Sequence, residues 1–70
     1  MTRTLDTKIA IGVEQAEPGL VMVFCNPEAD GLVSGGNFKS KRQAERHAAS
    51  EAKRLKSLGY KNVTWCANYA

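Results

Sequence analysis

Between Phe38 and Lys61 the chain carries eight cations, Lys39, Lys41, Arg42, Arg46, Lys53, Arg54, Lys56 and Lys61, against two carboxylates, Glu45 and Glu51, a local net charge of +6. Residues 1–37 hold Arg3 and Lys8 against Asp6, Glu14, Glu17, Glu28 and Asp30, a net of −3. The overall charge of +3 therefore conceals a dipolar molecule with a basic second half. Guanidinium and ammonium groups clustered in this way bind phosphates, releasing the counterions that a nucleic acid carries. Lys39, Lys41, Arg42, Arg46 and Lys53 are the candidate nucleic-acid contacts. Lys41 and Arg42 fall in the first turn of the predicted helix, where the dipole is already positive and each cation costs about 0.3–1 kcal/mol. A phosphate arriving there would meet helix N–H groups and cationic side chains together. The same row of charge also fits a face that is only solvated, and Lys53, Arg54 and Lys56 suit the C-terminal end of the dipole in any case.

Other chemistry finds no constellation. A single histidine, His47, and the widely separated Cys25 and Cys66 do not have metal-ligand spacing. His47 has no acid or nucleophile placed beside it, Ser40 is explained as a helix cap, and Glu45 and Glu51 as solvated or ion-paired helix carboxylates. A non-enzymatic protein without a cofactor is expected. The two cysteines fit a reducing cytosolic setting, where a small thiol is usually buried core. No apolar run is long enough to span a membrane, and MTRTLDTK has neither an apolar h-region nor a cleavage signal. The expected location is cytoplasmic.

These side chains need a scaffold, and seventy residues allow one small domain that buries only about 60% of its unfolded surface. Ala44, Ala48, Ala52, Leu55 and Leu58 recur at steps of three and four, which predicts an amphipathic helix over about 40–58 with these residues on its core side. Ser40 followed by Gln43 is a capping-box pattern, and Gly59 suits the left-handed turn that ends a helix. On this helix Arg42, Arg46 and Lys53 lie opposite the apolar stripe.

Upstream, Lys8–Glu14 alternates Ile9, Ile11 and Val13 with smaller or polar residues, predicting a half-buried strand. Glu17-Pro18-Gly19 predicts a turn. Leu20–Cys25, LVMVFC, is apolar on both faces. One helix covers one face only, so the second face, assigned to Val21, Val23 and Cys25, is expected to meet a second copy, a partner, or the folded-over N-terminal segment. Asn26–Gly31 is a loop by composition. Leu32–Phe38 is a weak strand, bulged or at an edge, because Gly35 and Gly36 interrupt it. After Gly59 a last strand, Val63–Tyr69, places Val63, Trp65, Ala67 and Tyr69 on one face, with Trp65 expected in the core against Ala48, Ala52 or Leu55. The expected fold is a single α+β domain over residues 1–70, β-β-β-α-β, in two layers with a mostly antiparallel sheet.

The run from Gly36 through Phe38, Ser40-Lys41-Arg42, Ala44, Ala48-Ala49 and Ala52 to Leu55 resembles the C-terminal part of a double-stranded-RNA-binding domain. That family shows a glycine, a Ser-Lys-Lys helix start, then alanines and a leucine at these spacings, after three antiparallel strands. The resemblance implies that Lys41 and Arg42, with Lys39 beside them, straddle phosphates across a major groove, since A-form RNA is read by shape and backbone. The family's first helix has no counterpart in MTRTLDT, and the strand after the helix is additional here. The stretch from Gly35-Gly36-Asn37-Phe38 to Leu58-Gly59-Tyr60 also resembles half of the peptidoglycan-binding repeat of bacterial division proteins. Two functional expectations follow: a small nucleic-acid-binding module that grips phosphates with a basic helix face, or a phage-type inhibitor or adaptor, of the anti-CRISPR kind, that binds a host protein or nucleoprotein complex. In the second, the basic face or the Val21/Val23 face would dock the partner.

Overall fold

The computed structural model describes residues 4–69, which form β1 (Ile9–Glu17), β2 (Leu20–Cys25), a short 3-10 turn (Pro27–Ala29), β3 (Gly36–Phe38), α1 (Lys41–Ser57) and β4 (Val63–Asn68). The sheet has the order β3-β2-β1-β4: β2 runs antiparallel to both β1 and β3, while β4 lies parallel to β1. The fold is thus α+β, with a mixed four-stranded sheet and one helix packed over β1, β2 and β4. The parallel pairing of β1 with β4 follows from α1, which carries the chain back along the sheet before the last strand begins.

Local chemistry explains most of these elements. β1 runs three residues past its predicted end, through Gln15-Ala16-Glu17, with the register shift of a bulge between Gln15 and Glu17. Glu17 therefore pairs with Leu20 and the turn contracts to Pro18-Gly19, where Gly19 has φ +80°. Proline followed by a glycine at positive φ is the requirement of a type II turn. Asn26 extends the β1–β2 ladder by one rung. Its side-chain oxygen accepts from Ala10 N–H at 2.9 Å and its amide donates to the Lys8 carbonyl at 2.8 Å.

The helix has the predicted ends. Ser40 Oγ accepts from the Gln43 N–H at 3.2 Å, and Gly59 follows the last turn with φ +104°. Ala44, Ala48, Ala52 and Leu55 are buried with Ile9, Ile11, Val13, Val21, Val23 and Val63 in one core. Leu58, expected on that stripe, is exposed at the C-cap, just past the last residue of the helix.

Four sequence expectations are corrected by the structure. Val21 and Val23 face the helix and are buried, so the uncovered face carries Met22 and Phe24 instead, 39% and 43% exposed. An LVMVFC run is apolar at every position, so alternation alone does not say which set points inward; the pairing of Val23 with the buried Val13 decides it. The described part of the N-terminal segment does not fold over that face. It is tied to the α1–β4 turn by Lys61 N–H donating to the Leu5 carbonyl at 3.0 Å and the Asn62 amide donating to the Asp6 carbonyl at 2.8 Å. The third strand is only Gly36–Phe38, at the sheet edge, and Leu32–Ser34 is irregular. The cysteines, expected in the core, are half-buried at Cys25 and exposed at Cys66. Cys25 pairs with the inward Ile11 and Cys66 with Gly12 on the outer face, so the two lie on opposite sides of the sheet.

Gly35 is where two backbones meet: a Cβ there would lie 2.6 Å from the Val23 carbonyl oxygen. Gly36 has room, its nearest neighbour being the Phe38 ring at 3.7 Å. Gly35→Ala is expected to cost about 1–3 kcal/mol in urea unfolding, as overpacking does, and Gly36→Ala less than half as much. Equal losses for the two variants would show that this contact does not hold β3 in place.

Candidate nucleic-acid interface

α1 presents four sides, and each has a different occupation. The first is the alanine stripe on the sheet. The second clamps the Leu32–Ser34 segment. Glu51, only 7% exposed, accepts from Ser34 N–H at 2.6 Å and from the Arg54 guanidinium at 2.9 and 3.0 Å. Arg54 also donates to the Leu32 carbonyl at 2.7 Å. His47 bonds the Ser34 carbonyl through Nε2, and its ring lies 5.1 Å from that of Phe38. A carboxylate at this depth is tolerable because both of its oxygens accept hydrogen bonds, two of the three from a guanidinium. The Arg54 guanidinium, offset by partial burial and aided by the Ser34 N–H, holds the Glu51 carboxyl below its ordinary range. Arg54 is thereby removed from the set of available cations. Of the two expectations for Glu51, solvated or ion-paired, the structure shows the ion pair, and adds a burial and a backbone contact that the sequence reading does not include. The signal that would have found it is positional: Glu51 falls on the helix side shared by Ala44, Ala48 and Leu55, with Arg54 three residues on.

The third side faces solvent. Arg42, Arg46, Lys53 and Lys56 are all exposed and lie within roughly 80° of one another around the helix. At 1.5 Å per residue the row extends about 21 Å from Arg42 to Lys56. Lys39 is exposed just before the cap. Among the described residues, none of Lys39, Lys41, Arg42, Arg46 or Lys53 is ion-paired, whereas Glu51 pairs with Arg54, and Asp6 with Lys61 at 3.9 Å.

The fourth side borders β4. Lys41 leaves the cation row here: its Nζ sits 4.4 Å above the centre of the Tyr69 ring, a cation–π contact worth about 0.5–1 kcal/mol at an exposed site. The Tyr69 hydroxyl donates to Glu45 at 2.6 Å, and restricted solvation together with that carboxylate pushes the phenol up to about 12. Tyr69 is thus the compensation for a first-turn lysine that the sequence reading lacked. Further along the same flank, Trp65 is 37% exposed rather than in the core. It shares the inner face of the sheet with Ile11, its pairing partner, but β4 is an edge strand and the indole lies at the open margin of the helix–sheet contact. The indole instead lines an open groove with Ala49, Ala52, Lys53, Lys56 and Ser57.

Of the five predicted contacts, the structure therefore sets Arg42, Arg46 and Lys53 in one row, leaves Lys39 at its start, and turns Lys41 onto Tyr69. Among the described residues, no three His, Cys, Asp or Glu side chains come together as metal ligands would, and no helix is long and apolar enough to cross a membrane. Compared with protein-family models, with curated proteins and with solved structures, the chain matches none.

Glu51 links the clamp to pH. Its folded-state pKa lies below the ordinary 4.5, so its contribution to stability is present above that value and is lost as pH falls through the depressed one. Glu28, whose carboxylate is favoured by its own backbone N–H and by the Asn26 amide, behaves in the same direction. Glu51→Gln is expected to cost about 1–3 kcal/mol at neutral pH and to shrink, without abolishing, the loss of stability in acid. Chemical denaturation of both proteins at pH 7 and pH 3 measures this; an unchanged pH dependence would remove Glu51 from the account.

Proposed function

We propose that this chain is a small non-enzymatic nucleic-acid-binding module that holds phosphates along the solvent side of α1. The observation that carries it is the row of Arg42, Arg46 and Lys53, exposed and without carboxylate partners among the described residues, continued by Lys56. Those cations need not give up an internal ion pair to bind a polyanion. The acidic residues of the first half are placed on other elements: Glu14 and Glu17 on β1, Glu28 and Asp30 in and after the 3-10 turn. The resemblance of residues 36–55 to the last part of a double-stranded-RNA-binding domain points the same way, with Lys39 beside the helix start and Lys41 partly engaged by Tyr69. Such a module works in the cytoplasm, without a cofactor.

A second reading is favoured by one observation. Met22 and Phe24 are exposed on a sheet face that no element covers among the described residues, which suits an inhibitor or adaptor docking a host protein, or a homodimer. The two readings separate experimentally. Phosphate binding through about four cations predicts a salt slope near −3, so that affinity for a short oligonucleotide falls roughly 50- to 100-fold between 50 and 200 mM salt. Arg42→Glu combined with Arg46→Glu is expected to abolish gel-shift retention while leaving the thermal midpoint nearly unchanged. Retained binding by that variant would overturn the assignment of the row. A protein with no affinity for nucleic acid, whose self-association or partner binding is lost on Phe24→Ser, would favour the second reading.

A further inference from the structure

The groove between α1 and β4 differs from the rest of the cationic surface because an aromatic ring lines it. Trp65 borders an open space of about 430 Å³, together with Ala49, Ala52 and Ser57, whose short side chains leave room beside the indole. Lys53 and Lys56 line the same space, and neither forms an ion pair among the described residues. An indole left at the protein surface beside two unneutralised ammonium groups matches a ligand with a flat π-face and adjoining negative charge.

We infer that this groove takes an unpaired base of a single-stranded nucleic acid, stacked on Trp65, with the flanking phosphates held by Lys53 and Lys56. The inference rests on the phosphate-binding role of α1 and adds the strand state of the ligand. In a duplex each base face is already covered by its neighbours, so only an unstacked base can offer one to the indole. The groove is continuous with the phosphate row, since Lys53 belongs to both and Arg46 lies about two turns before it on the helix. Tyr69, four residues further on and just past the end of β4, does not offer a comparable platform, because Lys41 covers its ring and Glu45 holds its hydroxyl.

Trp65 is the single tryptophan of the chain, so its emission reports this site alone. The full chain is titrated with a 15-nucleotide oligo(dT), with a duplex of the same length, and with inorganic polyphosphate, which has the charge but no bases. The single strand is expected to quench the emission strongly, and polyphosphate to bind, by competition with a labelled strand, with little quenching. Trp65→Ala should weaken single-strand binding about 5- to 150-fold, the range of one stacked base, and leave polyphosphate affinity unchanged. Trp65→Phe, which keeps a ring in place, should recover most of the loss and also guards against a folding defect in the alanine variant. Polyphosphate and duplex binding without quenching, or an alanine variant that loses polyphosphate and single strand alike, would overturn the stacking site while leaving the phosphate row intact. No binding by any of the three would overturn both.

Discussion

Ala44, Ala48 and Ala52 seat α1 directly on the sheet, and the character of the whole surface follows from that contact. A methyl group at each position lets the helix approach Ile9, Ile11, Val13, Val21 and Val23, and all these side chains leave water together. Each fully buried valine, isoleucine or leucine contributes about 1.5–3 kcal/mol relative to exposure. Among the described residues these side chains form one buried core, and a chain of this length has little further surface to bury. Once the alanine side is fixed inward, Arg42, Arg46, Lys53 and Lys56 have no direction left but outward. One helix covers one face of one sheet, so the same contact also leaves Met22 and Phe24 uncovered behind it.

The flanks of the helix are sorted by charge pairing. On the side toward Leu32–Ser34, Glu51 takes the Arg54 guanidinium and a backbone N–H, so positive charge there is consumed within the fold. That clamp also fixes the approach to Gly35, where the chain passes against the Val23 carbonyl before entering β3. On the side toward β4 only Glu45 is available, and it is engaged by the Tyr69 hydroxyl rather than by a cation. The positive potential is therefore concentrated on the solvent side and on the β4 flank, where Trp65 lies. A polyanion following this surface would meet charge first and an aromatic ring at one end of it.

What could be read in advance depended on whether the determining interaction was local. The caps of α1, the alanine stripe and the Pro18-Gly19 turn are decided within a few residues, and each sits where the pattern put it. The facing of β2 is different: LVMVFC supplies no alternation, and its register against β1 buries Val21 and Val23 while exposing Met22 and Phe24. Trp65 illustrates the same limit. Its face was readable from period two, but its depth depended on β4 lying at the edge beside β1, a consequence of the crossover that no local pattern encodes. The exposed cations were readable because helical spacing alone sets their direction. The diversion of Lys41 onto Tyr69 was not, since it joins residues 28 positions apart.

The central claim is that the outward row of α1, with the groove beside Trp65, is the surface that meets a polyanion. Nuclear magnetic resonance of the labelled protein during addition of a single-stranded oligonucleotide tests this most directly. Shifts confined to the amides of Arg42–Lys56 and to the Trp65 indole N–H, with Met22, Phe24 and Glu28 unmoved, are the predicted result. Shifts centred on Met22 and Phe24, or none at saturating oligonucleotide, would contradict it.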